Sequence, residues 1–226
     1  MVDMSYNNIT GALPLSLSAT TSLIQLNLEE NNLGGIIPGN IGGASSLSYL
    51  NLGFNMFQGQ LPNTLFNLSL TGLNLGGNQF TGTIPTQISR ATGLTELVLG
   101  PNLFTGTILY SISDLVNLKK LSVMHVGIGG RLPESFGTNL TNLAELTISN
   151  TFVLGFFPSS FGNLQSLTSL DLSHNQLRNV IPSEIGNMQQ LCKFDGTDGF
   201  LHLFSCRSHI FRFFPDDRSC SFPSIE

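Results

Sequence analysis

Residues 23–38 read LIQLNLEENNLGGIIP and residues 70–85 read LTGLNLGGNQFTGTIP, and the phrase they share returns eight times along the chain. It opens at Leu23, Leu47, Leu70, Leu94, Leu118, Leu143 and Leu167, in steps of 24, 23, 24, 24, 25 and 24 residues. A copy lacking its first residues runs from Val2 to Pro14, and a ninth opens at Leu191 and fails within a few positions. A fixed period of this size marks each copy as one small unit that buries its apolar side only by stacking on its neighbours. The chain is therefore read as an α/β repeat solenoid.

With the opening leucine counted as offset zero, offsets three and five are apolar between polar neighbours, as in Leu26 and Leu28, Leu73 and Leu75, and Leu170 and Leu172. That is the period of a strand buried on one side. One strand per repeat, stacked at about 4.8 Å, gives a parallel concave sheet that seven full repeats extend to about 35 Å. Offset eight holds Asn7, Asn31, Asn55, Asn78, Asn102 and Asn175, where the chain leaves the sheet. An amide offers both donor and acceptor to the backbone groups stranded there, so these residues are read as a structural ladder. Glycine recurs at offset twelve, from Gly11 to Gly155, at a bend that a β-carbon would obstruct. Proline at offset fifteen, from Pro14 to Pro182, fixes φ ahead of segments such as SSFGNLQS and SEIGNMQQ. Those segments are read as short helical (3-10) turns on the convex side. Val126 and Thr151 replace the turn asparagine and Leu109 replaces the proline, so a locally distorted ladder is predicted over residues 124–152.

Together these residues resemble the plant-type leucine-rich repeat, LxxLxxLxLxxNxLxGxIP, over residues 2–191. The resemblance implies a right-handed superhelix. Most arrays of that family are ectodomains of receptor-like kinases or receptor-like proteins, and a minority are secreted inhibitors of pectin-degrading polygalacturonase. It also implies paired cysteines on both sides of a full array. The N-terminal cap, a signal peptide, a transmembrane segment and a kinase are all missing from this chain, so the sequence reads as a partial ectodomain. For a full-length receptor the implied location is the extracellular face of the plasma membrane or the cell wall. Some peptide receptors of the family hold a ligand's terminal carboxylate with an Arg-x-Arg pair on concave strands. Here Arg90, Arg131 and Arg178 all fall outside the strand positions, and no long insertion of the kind used by steroid-binding members interrupts the repeats.

Side chains at offsets two, four, six and seven point out of the concave sheet and form the default binding surface of a solenoid. The candidate ligand or partner contacts are Gln25, Asn27, Glu29, Tyr49, Asn51, Phe54, Glu96, Val98, Lys120, Ser122, His125, Glu145, Thr147, Asn150, Asp171 and His174. Glu30 and Ser169 occupy equivalent offsets. Tyr49, Phe54 and His125 are the favoured anchors, because bulky groups on a polar sheet gain most from burial. Asn8, Asn67 and Asn139 open glycosylation sequons that avoid the buried framework, although Asn, Ser and Thr are abundant enough here to supply three by chance.

The function classes excluded are as telling. A net charge of −5 without a Lys or Arg cluster argues against nucleic acid. No run of about 18 apolar residues is present to span a bilayer. Kinase motifs are absent, and Asp171 with His174 lacks a nucleophile, so no catalytic residue, cofactor or metal is assigned. No clustered concave charge patch is evident, which counts against the inhibitor reading.

The array is assigned to residues 1–191. Residues 192–226 hold Cys192, Cys206 and Cys220 and seven of the 17 phenylalanines, and Gly196 falls where a strand leucine belongs. They are read as a divergent C-terminal cap or a non-native tail. Three cysteines leave at least one unpaired within the chain. The pair Cys206 and His209 is too little for zinc. The sequence thus predicts a non-enzymatic recognition module of a plant receptor-like ectodomain, binding a peptide, glycan or partner ectodomain in cell-surface signalling or defence, with a co-receptor ectodomain as a further partner. A secreted polygalacturonase inhibitor and a nonfunctional receptor-gene fragment are the alternatives.

Overall fold

A computed structural model describes residues 1–107, 110–196, 200–202 and 220–221. Leu109, Cys206 and His209 lie outside the described residues, as does most of the tail.

Each copy of the phrase folds into the same pieces. The copy opening at Leu47 gives a strand at Tyr49–Asn51, a second strand at Met56–Gly59 and a 3-10 helix at Asn63–Asn67. The next gives Gly72–Asn74, Gln79–Gly82 and Thr86–Arg90. First strands stack in parallel and in register, so that Leu26, Leu50, Leu73, Leu97, Leu121, Leu146, Leu170 and Phe194 lie side by side. The ninth copy thus contributes a strand, Lys193–Asp195, and Cys220–Ser221 pairs with it antiparallel to end the ten-stranded concave sheet.

The second strands form a sheet that the sequence analysis did not predict. Nine of them run in parallel from Thr10–Ala12 to Phe200–His202 along one flank of the solenoid. Offset ten faces inward from this flank, and Phe57, Phe80 and Phe104 stack there with ring centroids 6.1 Å apart and nearly parallel planes. Leucines of the concave strands, these rings and one residue from each convex turn, such as Ile41, Leu65 and Ile88, close a continuous single-file core. Burying each such side chain contributes about 1.5–3 kcal/mol, so removing one layer weakens two neighbours.

Convex turns begin as the prolines require. In every turn that a proline precedes, an N–H three residues on donates to the proline carbonyl, as from Leu65 to Pro62 and from Ile88 to Pro85. One turn differs: Glu134–Asn139 is an α-helix. Its copy is the one followed by the 25-residue step, and the extra residue widens the turn from a 3-10 to an α geometry.

The ladder of asparagines joins the two sheets. The Asn55 amide donates to Leu28 O at 2.8 Å and Leu52 O at 3.2 Å on the concave side, and its Oδ1 accepts from Leu33 N–H at 3.0 Å on the flank side. Asn31, Asn78 and Asn102 repeat the arrangement, whereas exposed Asn7 bonds within its own copy. Distortion was expected over residues 124–152, but the concave backbone there is the best paired of all. Lys120–Met124 and Glu145–Ser149 match over five residues each. What is lost is the clip: Val126 offers no amide, while Thr151 bridges, its hydroxyl donating to Asn175 Oδ1 at 2.5 Å and accepting from Val153 N–H at 3.4 Å. A hydroxyl supplies one donor and acceptor locally where an amide spans three partners, so the backbone stays regular although the side-chain ladder thins.

Candidate functional site

The concave strands carry the candidate contacts in columns. At offset two, register pairs Gln25 with Tyr49, Tyr49 with Gly72, Gly72 with Glu96, Glu96 with Lys120, and Lys120 with Glu145. Offset four runs parallel to it through Asn27, Asn51, Asn74, Val98, Ser122, Thr147 and Asp171. Side chains one register step apart are close enough to interact. Lys120 Nζ accordingly lies 3.2 Å from Glu96 and 3.9 Å from Glu145.

Two expected contacts are withdrawn from the surface. Asn51 is 3% exposed and Ser122 is 8% exposed. Asn51 Oδ1 accepts from Gly53 N–H at 3.0 Å, so its carbonyl end serves the bend that follows its own strand. A short side chain between longer neighbours of a curved sheet is covered by them, which offset counting alone does not reveal.

Phe54, His125, Asn150 and His174 stand beyond the strand ends. They share φ values of 52°, 50°, 51° and 53°, as do Tyr6 and Glu30 at the same offset. This left-handed bend costs a non-glycine residue of order 1 kcal/mol, and it turns the side chain along the rim of the face instead of out of its floor. His125 Nδ1 and Asn150 Nδ2 lie 2.9 Å apart on that rim. Phe54 is 55% exposed beside Gly77.

Between the rim and the offset-two column the floor is bare in the middle of the array. Gly72, Gly76 and Gly100 are buried, and each is required by a close approach. A β-carbon on Gly72 would sit 2.6 Å from the Tyr49 ring, and one on Gly100 would fall 1.8 Å from Met124 O. The Tyr49 ring therefore leans over Gly72. Burial pushes its phenol above the ordinary range, with Glu96 and Glu29 adding to the rise, while a hydrogen bond with Asn51 and the charge of Lys120 oppose it. Glu29 reaches across to the Asn74 amide at 3.4 Å. Sequence reasoning missed this glycine floor and Asn74, although both follow from listing every residue of each column.

Charge is also sorted by face, contrary to the expectation of no concave patch. Asp3, Glu29, Glu30, Glu96, Glu145, Asp171 and Asp195 occupy concave columns, against Lys120 and Lys193. Elsewhere in residues 1–196 stand three carboxylates, Asp114, Glu134 and Glu184, and four cations, Arg90, Lys119, Arg131 and Arg178. The net of −5 on one face and +1 on the rest was hidden by reading charges along the chain instead of across it.

Models described as leucine rich repeat match residues 22–44, 46–68, 69–91 and 141–195, together more than half of the chain. The chain belongs to the leucine-rich-repeat family. No curated protein matches it by sequence. Among solved structures, the leucine-rich-repeat array is similar to the plant peptide hormone receptor RGFR1 in complex with RGF2, at 32% identity and a TM-score of 0.84, covering 89% of this chain and 32% of that one. Arabidopsis receptor kinase HAESA, solved with the peptide hormone IDA and the co-receptor SERK1, matches at 32% identity and 0.84 over 88% of this chain and 33% of its own. PEPR1 in complex with AtPEP1 matches at 27% and 0.69 over 87% and 34%. The chain thus spans about a third of the length of these receptors. A plant ice-binding protein shares the fold alone, at 24% identity and 0.71. Among the described residues no helix is long and apolar enough to cross a membrane, and no group of His, Cys, Asp and Glu is placed to hold a metal. Cys192 is free and exposed, and the side chains of Cys206 and Cys220 lie outside the described residues.

Proposed function

We propose that this leucine-rich-repeat array is a non-catalytic recognition surface of a plant receptor-like ectodomain, and that its concave face holds an extended peptide or protein segment outside the cell. The observation that carries the reading is the match, over most of this chain, to ectodomains solved with peptide hormones. The face itself supports it: a rigid floor of glycine and short polar side chains is bordered by Tyr49, Phe54 and His125, the arrangement of flat floor and bulky rim that suits an extended chain. A surface held by strand register needs no ordering on binding, so little affinity is lost to entropy. Signalling would come from a kinase or co-receptor acting with the array. Asn8, Asn67 and Asn139 are exposed and accessible to glycosylation.

The reading is tested by selecting peptides from a random displayed library on the purified chain. Peptides that bind are expected to lose at least about tenfold in affinity when Tyr49, Phe54 and His125 are replaced by Ala. Equal binding to that variant, or selection of no peptide at all, rejects the concave reading. The acidic concave face favours one second reading, an inhibitor docking on a basic-surfaced hydrolase. Undiminished polygalacturonase activity in the presence of the chain removes it.

A further inference from the structure

The sorted charges and the glycine floor say more about the ligand than that it is extended. We infer that the concave face takes a cationic peptide, and that one Arg or Lys side chain of it lodges on the outward side of the Tyr49 ring, between Glu29 and Glu96. This rests on the proposed peptide reading and narrows its ligand class.

Complementarity is the first support. With a surplus of five carboxylates on the concave columns and no net charge on the remainder, the molecule attracts a basic segment to that one face. The array itself shows how the face holds a cation, because Lys120 sits between two carboxylates one register step to either side. Two strands toward the N-terminus the same column changes to Tyr49 and Gly72, and no side chain rises from Gly72. The Tyr49 ring occupies that space by lying over Gly72 and presents its outward side, with Glu96 on the next strand. Glu29 approaches from the rim side, where its carboxylate meets the neutral Asn74 amide at 3.4 Å. A guanidinium placed there gains two carboxylates and a ring face, the combination that binds cations most strongly when partly removed from water. Gly72 is what lets the ring lie there, since a β-carbon would strike it at 2.6 Å. An extended peptide at about 3.3 Å per residue needs about ten residues to run from this spot to the last described concave strand.

The probes are fluorescent ten-residue Gly/Ser peptides carrying three arginines, or three citrullines as neutral isosteres, or three glutamates. Only the arginine peptide is expected to bind measurably, with anisotropy falling steeply between low and high salt. Glu29→Gln with Glu96→Gln should weaken it at least about tenfold. Glu134→Gln with Glu184→Gln removes the same charge from the convex side and should leave it within about twofold. Lys120→Ala frees Glu96 and should tighten it several-fold. Equal binding of the citrulline peptide overturns the inference, as does equal weakening by the concave and convex pairs. If library-selected peptides are neutral and still depend on Tyr49, Phe54 and His125, the cationic inference fails while the concave peptide reading stands.

Discussion

The concave sheet and the flank sheet come from the same repeats, run parallel at the same spacing and share one core, yet their outward side chains have little in common. Seven carboxylates and two lysines stand on the concave columns. On the flank, the outward positions of the described strands hold Asn, Thr, Gln and glycine, the apolar Met56, Leu103 and Val180, two arginines at 131 and 178, and no carboxylate. The flank instead exposes Phe152, Leu154 and Phe156 on a single strand and its exit, at 59%, 40% and 62%. Inward residues are fixed by the need to fill one layer per repeat, so both sheets keep them alike. Outward residues are free of that need, and their divergence reflects what each face meets.

The comparison is broken most severely at the glycine floor. Gly100→Ala puts a β-carbon 1.8 Å from Met124 O, and the concave backbone has no room to retreat. The expected loss is about 3–4 kcal/mol, read by urea denaturation. On the flank, Gly129→Ala meets Phe152 O at 2.9 Å, a contact that the strand backbone must shift to relieve but far milder than 1.8 Å, and about 1–2 kcal/mol is expected. Equal costs would mean that the two floors are equally tight and that the concave one has no special shape.

Next in size is the seam. Asn55→Ala strands the Leu33 N–H and the Leu28 and Leu52 carbonyls in a buried place, and a loss of about 2–3 kcal/mol is expected. The converse repair, Val126→Asn, restores an acceptor opposite Phe104 N–H and should add about 1 kcal/mol, with slower amide exchange at Phe104. A Val126→Asn variant that is less stable than the parent would show that the thinned ladder is not a defect.

The concave strands, the ladder and the convex turns were legible because each depends on one residue type at one offset. Leucine at offsets three and five, asparagine at eight and proline at fifteen each meet a single physical demand. The flank sheet was not legible, since offset ten carries nearly all of its burial and its other positions, such as Thr81 and Gly82, read as turn residues. Burial of Asn51 and Ser122 escaped for a related reason: it depends on the side chains of adjacent strands, which lie 23 or more residues away in sequence. The acidic face was present in the sequence, but only as columns read across repeats.

The smallest expected effect tests whether the outward side chains of the flank contribute to the fold. Phe152 and Phe156 point away from the core and are mostly exposed, so their contacts in the folded chain differ little from those in the unfolded one. Phe152→Ser with Phe156→Ser should therefore change stability by less than about 0.5 kcal/mol and leave binding of the arginine peptide untouched. Raised solubility of the double variant would fit an apolar strand that solvent meets unwillingly. A loss of stability near that of Asn55→Ala would instead show that the two rings are packed, and that the outward side of the flank supports the fold as well. The division between a face shaped for contact and a face merely left over would then disappear.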